Sequence, residues 1–176
     1  MNREAKYDLC RYGGGKGIID VVMRKPQIKY IIQLRKTQCS PNKLFLMINK
    51  WRLNRLSEKT LIQIPADVSI GRGFYIGHFG RIIIHPNVVI GENCNIATGV
   101  VIGEENRGKR KGTPIIGDKV WIGANSVIVG RIAIGDEVLI APNSYVNFDV
   151  PSCSVVVGGK IIPKKNAIEG YINNCV

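Results

Sequence analysis

Residues 116–127 read IGDKVWIGANSV, two units of six residues that each begin with isoleucine and glycine. A period of six differs from the 3.6-residue period of a helix and the two-residue period of an ordinary strand. The same interval joins a long aliphatic column: Ile70, Ile76, Ile84, Ile90, Ile96, Ile102, Ile116, Ile122, Ile128, Ile134, Ile140 and Val146, with two slips. Tandem short units indicate an array in which neighbouring units bury a shared core.

Each unit predicts a flat face followed by a corner. The residue four positions after each aliphatic one is also apolar or small, as at Val88, Cys94, Val120, Ser126, Val138 and Ser144. Both residues point inward if the chain turns once per unit, and glycine or asparagine at the corner tolerates positive φ. Three faces then make one coil of a triangular prism, in which Cys94 is an interior filler rather than a nucleophile.

Length and composition predict one compact domain, since the chain has 176 residues of which 45% are hydrophobic. No apolar run approaches the roughly 20 residues that span a bilayer. Residues 1–10 lack the apolar segment of a signal peptide, which predicts a cytoplasmic protein. The five scattered cysteines have no CxxC spacing, so we expect reduced thiols and no metal site.

The N-terminal region, residues 1–62, is predicted to be helical and is strongly basic. Leu44, Met47, Ile48 and Trp51 recur at helical spacing. Before Ile64, fourteen lysines and arginines accompany four acidic residues. Such a helix either packs on a neighbouring domain or subunit, or contacts an anionic membrane. For a cytoplasmic protein, that contact would be with the inner face of the membrane. The sequence has no nucleic-acid-binding motif, and we expect no nucleic-acid partner.

Residues 64–159 resemble the hexapeptide-repeat acyltransferases. The stretches at 73–84 (GFYIGHFGRIII), 106–130 and 150–160 (VPSCSVVVGGK) are similar to the serine O-acetyltransferase-like branch. Within that branch they most resemble the O-acetyltransferases of capsular and exopolysaccharide biosynthesis. The resemblance implies a mainly β fold, a left-handed parallel β-helix at 63–159 with a loop excursion near 103–114. A small helical region at 1–62 precedes the β-helix and a tail at 160–176 follows it.

The first slip lies between Ile76 and Ile84, which are separated by eight residues. The two extra residues predict a bulge, a feature that often re-aims side chains next to a site. The bulge contains Gly77, His78, Phe79, Gly80 and Arg81. A neutral imidazole with a pKa near ~6.5 can accept a hydroxyl proton. We therefore predict His78 as the general base, the role that the family's histidine has at this position. Gly77, Phe79 and Arg81 are predicted to bind the substrate, and His85 is interpreted as an exposed turn residue.

The second slip lies between Ile102 and Ile116, where fourteen residues replace six. The excursion carries four cations among flexible glycines, which suits an anionic ligand. One candidate ligand is the phosphate groups of coenzyme A, which Arg107 would bind. Another is a phosphorylated or acidic sugar acceptor, which Arg110 would bind. The alternative is a solvated charged loop without a ligand. In the family this loop reaches over the active site of an adjacent subunit.

The resemblance also implies acetyl-CoA as co-substrate and a homotrimer, because each cleft of the family lies between two prisms. The residues expected along the coenzyme are Gly123 and Ala124, with Pro142 one coil later. Lys160 and Lys164 are expected at its phosphates, and no metal is expected.

Three departures from the serine enzymes shape the prediction of the acceptor. The family's catalytic aspartate in the preceding coil is replaced by Gln63, which we expect to orient His78. An aspartate before the histidine is replaced by Gly77, and an Arg-His pair by Gly112-Thr113. A free amino acid needs a paired anion and cation.

We therefore predict transfer of acetyl to a hydroxyl of a sugar or glycan, free or lipid-linked, in cell-surface polysaccharide assembly. The alternative is serine O-acetyltransferase in cysteine biosynthesis. A third hypothesis is a non-enzymatic scaffold.

Overall fold

The computed structural model describes residues 3–13 and 25–172, and its N-terminal part is helical. The helices are α1 (Arg3–Cys10), α2 (Pro26–Gln38) and α3 (Lys43–Thr60). Proline suits the first turn of α2 because its φ is already helical. The Asn42 side chain caps α3 by accepting the Phe45 N–H at 3.0 Å. Residues 14–24 of the predicted helical region lie outside the described residues.

From Ile62 onward the chain forms short strands that are arranged in three sheets. Sheet A contains β1 (Ile62–Gln63), β4 (Ile82–Ile84), β7 (Val101–Gly103), β10 (Val127–Val129) and β13 (Tyr145–Val146). Sheet B contains β2 (Ser69–Ile70), β5 (Val89–Ile90), β8 (Ile115–Ile116) and β11 (Ala133–Ile134). Sheet C contains β3 (Tyr75–Ile76), β6 (Asn95–Ile96), β9 (Trp121–Ile122), β12 (Leu139–Ile140), β14 (Ser154–Val157) and β15 (Lys160–Pro163). Successive strands up to β13 visit A, B and C in turn, so three strands make one coil. Coils stack through parallel pairing, which is the predicted prism.

The register of the coils locates the two slips. Ile83 pairs with Val101, and Val127 with Tyr145, each 18 residues later. Ile62 instead pairs with Ile82, 20 residues later, and Val101 with Val127, 26 residues later. The extra residues lie in the 77–81 corner and in the 103–114 loop.

The interior of the prism is the predicted aliphatic column. Val120, Ile122 and Cys94 are each 0% exposed, so their predicted inward orientation is confirmed. At the corners the backbone enters the left-handed region, as at Asn125 (φ 59°). Gly99 also has positive φ, and a side chain there would collide with that of Asn125. The parallel sheets and the small helical part confirm the predicted fold class, which is mainly β.

Two tyrosines dock the helices on the first coil. The Tyr30 hydroxyl accepts the Ile64 N–H at 2.9 Å and donates to the Ile64 carbonyl at 3.0 Å. The Tyr12 hydroxyl does the same at Ile76, at 2.7 and 2.8 Å, and its ring stacks on Tyr75 at 4.4 Å. These bonds satisfy strand backbone groups that have no preceding coil to pair with.

Beyond β14 the chain folds back on the prism. β15 pairs antiparallel with β14, and Tyr171 later packs against Trp121 with ring centroids 5.0 Å apart. Cys10 is disulfide-bonded, so the expectation of a reduced thiol is wrong at this residue. Within residues 3–13 and 25–172, no helix is long and apolar enough to cross a membrane.

Candidate active site

The corner that carries His78 connects β3 to β4 and is held by three neighbouring segments. The Gly77 N–H donates to the Ile96 carbonyl at 3.3 Å, and the Gly77 carbonyl accepts from Gln27 Nε2 at 3.0 Å. The Gly80 N–H donates to the carbonyl of Thr60, the last residue of α3, at 3.0 Å. His78 and Phe79 are exposed between these fixed points, and Arg81 is exposed beside them. The corner therefore presents its imidazole to solvent from a fixed backbone.

His78 lies on the edge of the prism where the chain passes from sheet C to sheet A. The parallel ladder continues along this edge: Ala97 N–H to Ile122 O (3.0 Å), Gly123 N–H to Ile140 O (2.8 Å) and Ala141 N–H to Val156 O (2.8 Å). The stacked pairs are Gly77–His78, Ala97–Thr98, Gly123–Ala124, Ala141–Pro142 and Val157–Gly158, which together we call the His78 edge. Because paired strands lie ~4.8 Å apart, its four steps span about 19 Å.

Most of the predicted coenzyme residues lie on the His78 edge. Gly123, Ala124 and Pro142 stack in adjacent coils, and Lys160 directly follows Gly158–Gly159. Gly123 also has a packing role, since a Cβ there would lie 2.5 Å from the backbone nitrogen of Pro142. Lys164 lies beyond β15, where its N–H donates to the Cys153 carbonyl at 2.8 Å.

A cavity of about 560 Å³ lies between α3 and the first coil, and Gln63 is part of its wall. We call it the Gln63 cavity. Its polar and charged lining residues are Lys50, Asn54, Ser57, Glu58, Gln63 and Asp67. Leu61 also lines it, and the Leu61 carbonyl accepts the Ile82 N–H at 3.2 Å, at the end of the His78 corner. Charges of both signs thus surround a space that adjoins this corner.

The 103–114 loop forms a small hairpin on a different edge, between sheets A and B. Glu105 and Gly112 exchange two backbone hydrogen bonds of 3.0 and 2.9 Å. Arg107 and Arg110 are exposed on the hairpin, and Arg110 Nη1 lies 3.9 Å from Asp149 Oδ2. The chain therefore does not bring these two arginines to the edge that carries His78.

His85 lies at the end of β4, also on the edge between sheets A and B. Its Nε2 is 3.5 Å from Glu104 Oε2, and its Nδ1 accepts the Asn87 N–H at 3.3 Å. Within residues 3–13 and 25–172, no group of three or more histidine, cysteine, aspartate or glutamate side chains could hold a metal ion.

Sequence reasoning missed the contributions of the helices to this site. Gln27 precedes Gly77 by 50 residues, and Lys50 and Glu58 lie on a helix that was interpreted only for its surface. Gln27 is 4% exposed, and its Oε1 has no hydrogen-bond partner among residues 3–13 and 25–172. No spacing in the sequence connects these residues with the His78 corner.

Comparisons with known proteins agree with the repeat. The family model described as bacterial transferase hexapeptide (six repeats) matches residues 113–147. The model described as hexapeptide repeat of succinyl-transferase matches residues 81–105.

Similar proteins extend the match to most of the chain. The serine acetyltransferase of Helicobacter pylori is 32% identical over 142 residues, which are 80% of this chain and 82% of that protein. The crystal structure of Neisseria gonorrhoeae serine acetyltransferase in complex with serine has a TM-score of 0.73 at 29% identity, over 90% of this chain and 66% of that one. Serine acetyltransferase isoform 3 of Entamoeba histolytica, in complex with cysteine, has a TM-score of 0.72 at 26% identity, over 87% of this chain and 56% of that one. The chain is thus shorter than these solved relatives.

The predicted transfer to a sugar or glycan in polysaccharide assembly is wrong, because the similar proteins are serine acetyltransferases. Besides the departures at Gln63, Gly77 and Thr113, the protein has charges of both signs that α3 brings to the Gln63 cavity. The predicted acyltransferase class, with acetyl-CoA as co-substrate, is confirmed by the same relatives. This chain belongs to the serine acetyltransferase family of hexapeptide-repeat acyltransferases.

Proposed function

We propose that this chain is a serine O-acetyltransferase, which transfers the acetyl group of acetyl-CoA to the hydroxyl of L-serine. The observation that carries the proposal is the 32% identity to the Helicobacter pylori enzyme across 82% of its length. The match covers 80% of this chain, more than the repeats alone. The prism is left-handed in this proposal, as in the family that the repeats resemble.

His78 acts as the general base in the proposed reaction. Its neutral imidazole accepts the serine hydroxyl proton while the hydroxyl oxygen attacks the thioester carbonyl. The tetrahedral intermediate then expels the coenzyme A thiolate, which takes the proton from the imidazolium. A new C–O bond has formed, the C–S bond has broken, and His78 is neutral again. Gln63 orients the imidazole through its amide oxygen, although an amide stabilises an imidazolium less than a carboxylate does.

Acetyl-CoA lies along the His78 edge in this proposal. Gly123, Ala124 and Pro142 are small or compact, so an extended pantetheine arm can approach the backbone of successive coils. Lys160 lies at the far end of this edge from His78, where it suits a coenzyme phosphate, whereas Lys164 lies beside Cys153 at the opposite edge of sheet C. The stacking of these positions on one edge supports a single path from the phosphates to the base.

The Gln63 cavity supports an amino-acid acceptor. A zwitterion requires groups of both signs when it leaves water. Lys50 would pair with the serine carboxylate, and Glu58 with Asp67 would pair with its ammonium group. These residues take over the roles of the family's groups that are missing at Gly77 and Thr113.

The trimer completes the site. Arg107 and Arg110 lie on a different prism edge from His78, so only the loop of a neighbouring subunit can bring them to it. In the homotrimer that we propose, Arg107 binds a coenzyme phosphate. Arg110, with Gly77, Phe79 and Arg81 of the corner, closes over the acceptor.

The proposal is tested by thiol release from acetyl-CoA with L-serine, N-acetyl-L-serine and L-serine methyl ester. Only L-serine carries both charges, so the blocked compounds should lose roughly 100-fold or more in kcat/KM. Glu58→Gln should raise the KM for L-serine and leave the KM for acetyl-CoA unchanged, whereas Arg52→Gln, outside the cavity, should change neither. Equal turnover of N-acetyl-L-serine, or no turnover of L-serine, would overturn the proposal.

A further inference from the structure

Helix α3 has an apolar stripe on the side that faces away from the protein. Its buried side carries Leu53 and Thr60, which are 4% and 0% exposed. The opposite side carries Leu44, Met47, Ile48 and Trp51, which are 60%, 64%, 37% and 61% exposed. Their spacing of three and four residues places them in one row, which we call the outer stripe. Phe45, 52% exposed, lies beside it.

Cations border the outer stripe on both sides. Lys43 lies on one flank, whereas Arg52 and Lys59 share the other. The Arg55 guanidinium lies 5.5 Å from the centre of the Trp51 ring, within the range of a cation–π contact. Glu58 is the single acidic residue of the helix. The surface is therefore apolar in the middle and positive around it.

This pattern fits an anionic lipid surface better than a second copy of the chain. In a contact between two copies of the outer stripe, the flanking cations of both copies would lie close together. Each helix has only one acidic residue to offset them. Two acidic residues of the prism are already paired within the chain: Glu92 with Arg72 at 2.9 Å, and Glu137 with Lys119 at 3.0 Å. An anionic bilayer supplies both an apolar interior for the stripe and negative head groups for its flanks.

We infer that α3 docks this protein on anionic phospholipid membranes, with the helix lying in the plane of the interface. Leu44, Met47, Ile48 and Trp51 enter the boundary between head groups and acyl chains, and the flanking lysines and arginines contact lipid phosphates. The outer stripe lies outside the proposed catalytic site, so this inference does not depend on the acceptor or the reaction.

Vesicle binding by the full chain tests the inference. Vesicles of phosphatidylcholine with about one third phosphatidylglycerol should retain at least ~10-fold more protein than phosphatidylcholine alone, and most of it should be released near 0.5 M NaCl. In a Trp121→Phe background, Trp51 fluorescence should shift to the blue on anionic vesicles. L44Q/M47Q should abolish binding, and K43Q/R52Q should weaken it. Ile162→Gln, which changes a side chain that is 50% exposed elsewhere, should bind normally.

Solution measurements distinguish lipid docking from contact between copies. The wild type and L44Q/M47Q should have the same mass by light scattering, and acrylamide should quench Trp51 in the absence of lipid. Absence of binding to anionic vesicles would overturn the inference. So would a fall in mass in L44Q/M47Q, or a Trp51 that acrylamide does not reach, since either result assigns the stripe to an interface between copies.

Discussion

The guanidinium of Arg35 in α2 donates from Nε to Oδ2 of Asp8 in α1 at 2.7 Å, and both side chains are buried. Arg35 also donates to the carbonyls of Ile70 (2.7 Å) and Gly71 (2.5 Å), and Asp8 accepts the Phe74 N–H at 2.9 Å. One ion pair thus joins two helices to the first coil, whose edge has no earlier coil to pair with.

Removing the anion of this pair should strongly destabilise the fold. Asp8→Asn leaves the Arg35 charge buried without its main partner, so we expect a loss of about 3–5 kcal/mol. Arg55→Gln is the control, because Arg55 and Glu58 are 64% and 71% exposed and their pair should contribute at most about 0.5 kcal/mol. Urea unfolding at one fixed protein concentration measures both variants. A loss below about 1 kcal/mol in Asp8→Asn would contradict the anchoring role.

Adjacent residues of β8 provide a matched test of the prism core. Ile116 points inward and is 1% exposed, whereas Ile115 points outward and is 58% exposed. Ile116→Ala should cost about 2–5 kcal/mol, because it leaves a cavity in the aliphatic column. Ile115→Ala should change the free energy of unfolding by roughly 0.5 kcal/mol or less in the isolated chain. Similar losses in both variants would indicate that Ile115 is covered in the assembled protein.

Cys94 should be unreactive in the folded protein. Burial raises the pKa of its thiol from 9.0 to about 12, so the thiol keeps its proton at any pH at which the reagent is used. Iodoacetamide at pH 8 should label exposed Cys39 and leave Cys94 unlabelled until urea unfolds the chain. In the unfolded chain the thiol ionises first, so its contribution to stability is present below pH 9.0 and is lost as the pH rises towards about 12. Peptide mapping that finds Cys94 alkylated in the native protein would contradict this interpretation.

Lys160 should contribute to the affinity for the phosphates of coenzyme A. Lys160→Gln should raise the KM for acetyl-CoA by roughly threefold or more, as expected for the loss of an exposed charge–phosphate contact. Lys165→Gln, a nearby exposed lysine, is the control and should have no effect. With acetyl-dephospho-CoA, the difference between the wild type and Lys160→Gln should shrink if the lysine binds the 3′-phosphate. An equal rise in KM in the two lysine variants would mean that general surface charge, not a specific contact, is responsible.

The fold could be predicted because its signal is local. Ile116, Ile122 and Ile128 keep a six-residue spacing that can be read without knowing any distant contact. The slip next to Ile76 likewise predicts the His78 corner, because two extra residues interrupt the six-residue spacing and the interruption is visible in the sequence itself.

The acceptor side of the site could not be predicted in the same way. Lys50 and Glu58 line the Gln63 cavity because α3 packs on α2, and Tyr30 and Arg35 bond α2 to the first coil. That docking depends on contacts 34 to 36 residues apart, for which the sequence has no periodic signal. The departures at Gly77 and Thr113 are visible in the sequence, whereas the charged cavity that we propose compensates for them is not.

Thiol release from acetyl-CoA with L-serine, measured in parallel for the wild type, His78→Ala and His85→Ala, tests the central claim most directly. The wild type should release coenzyme A only when L-serine is added, with O-acetylserine identified by mass spectrometry. His78→Ala should be at least ~100-fold slower with its fold and oligomeric state unchanged, because it lacks the general base. His85→Ala should keep most of the activity. No serine-dependent thiol release by a wild type that binds acetyl-CoA, or near-full activity in His78→Ala, would contradict the account.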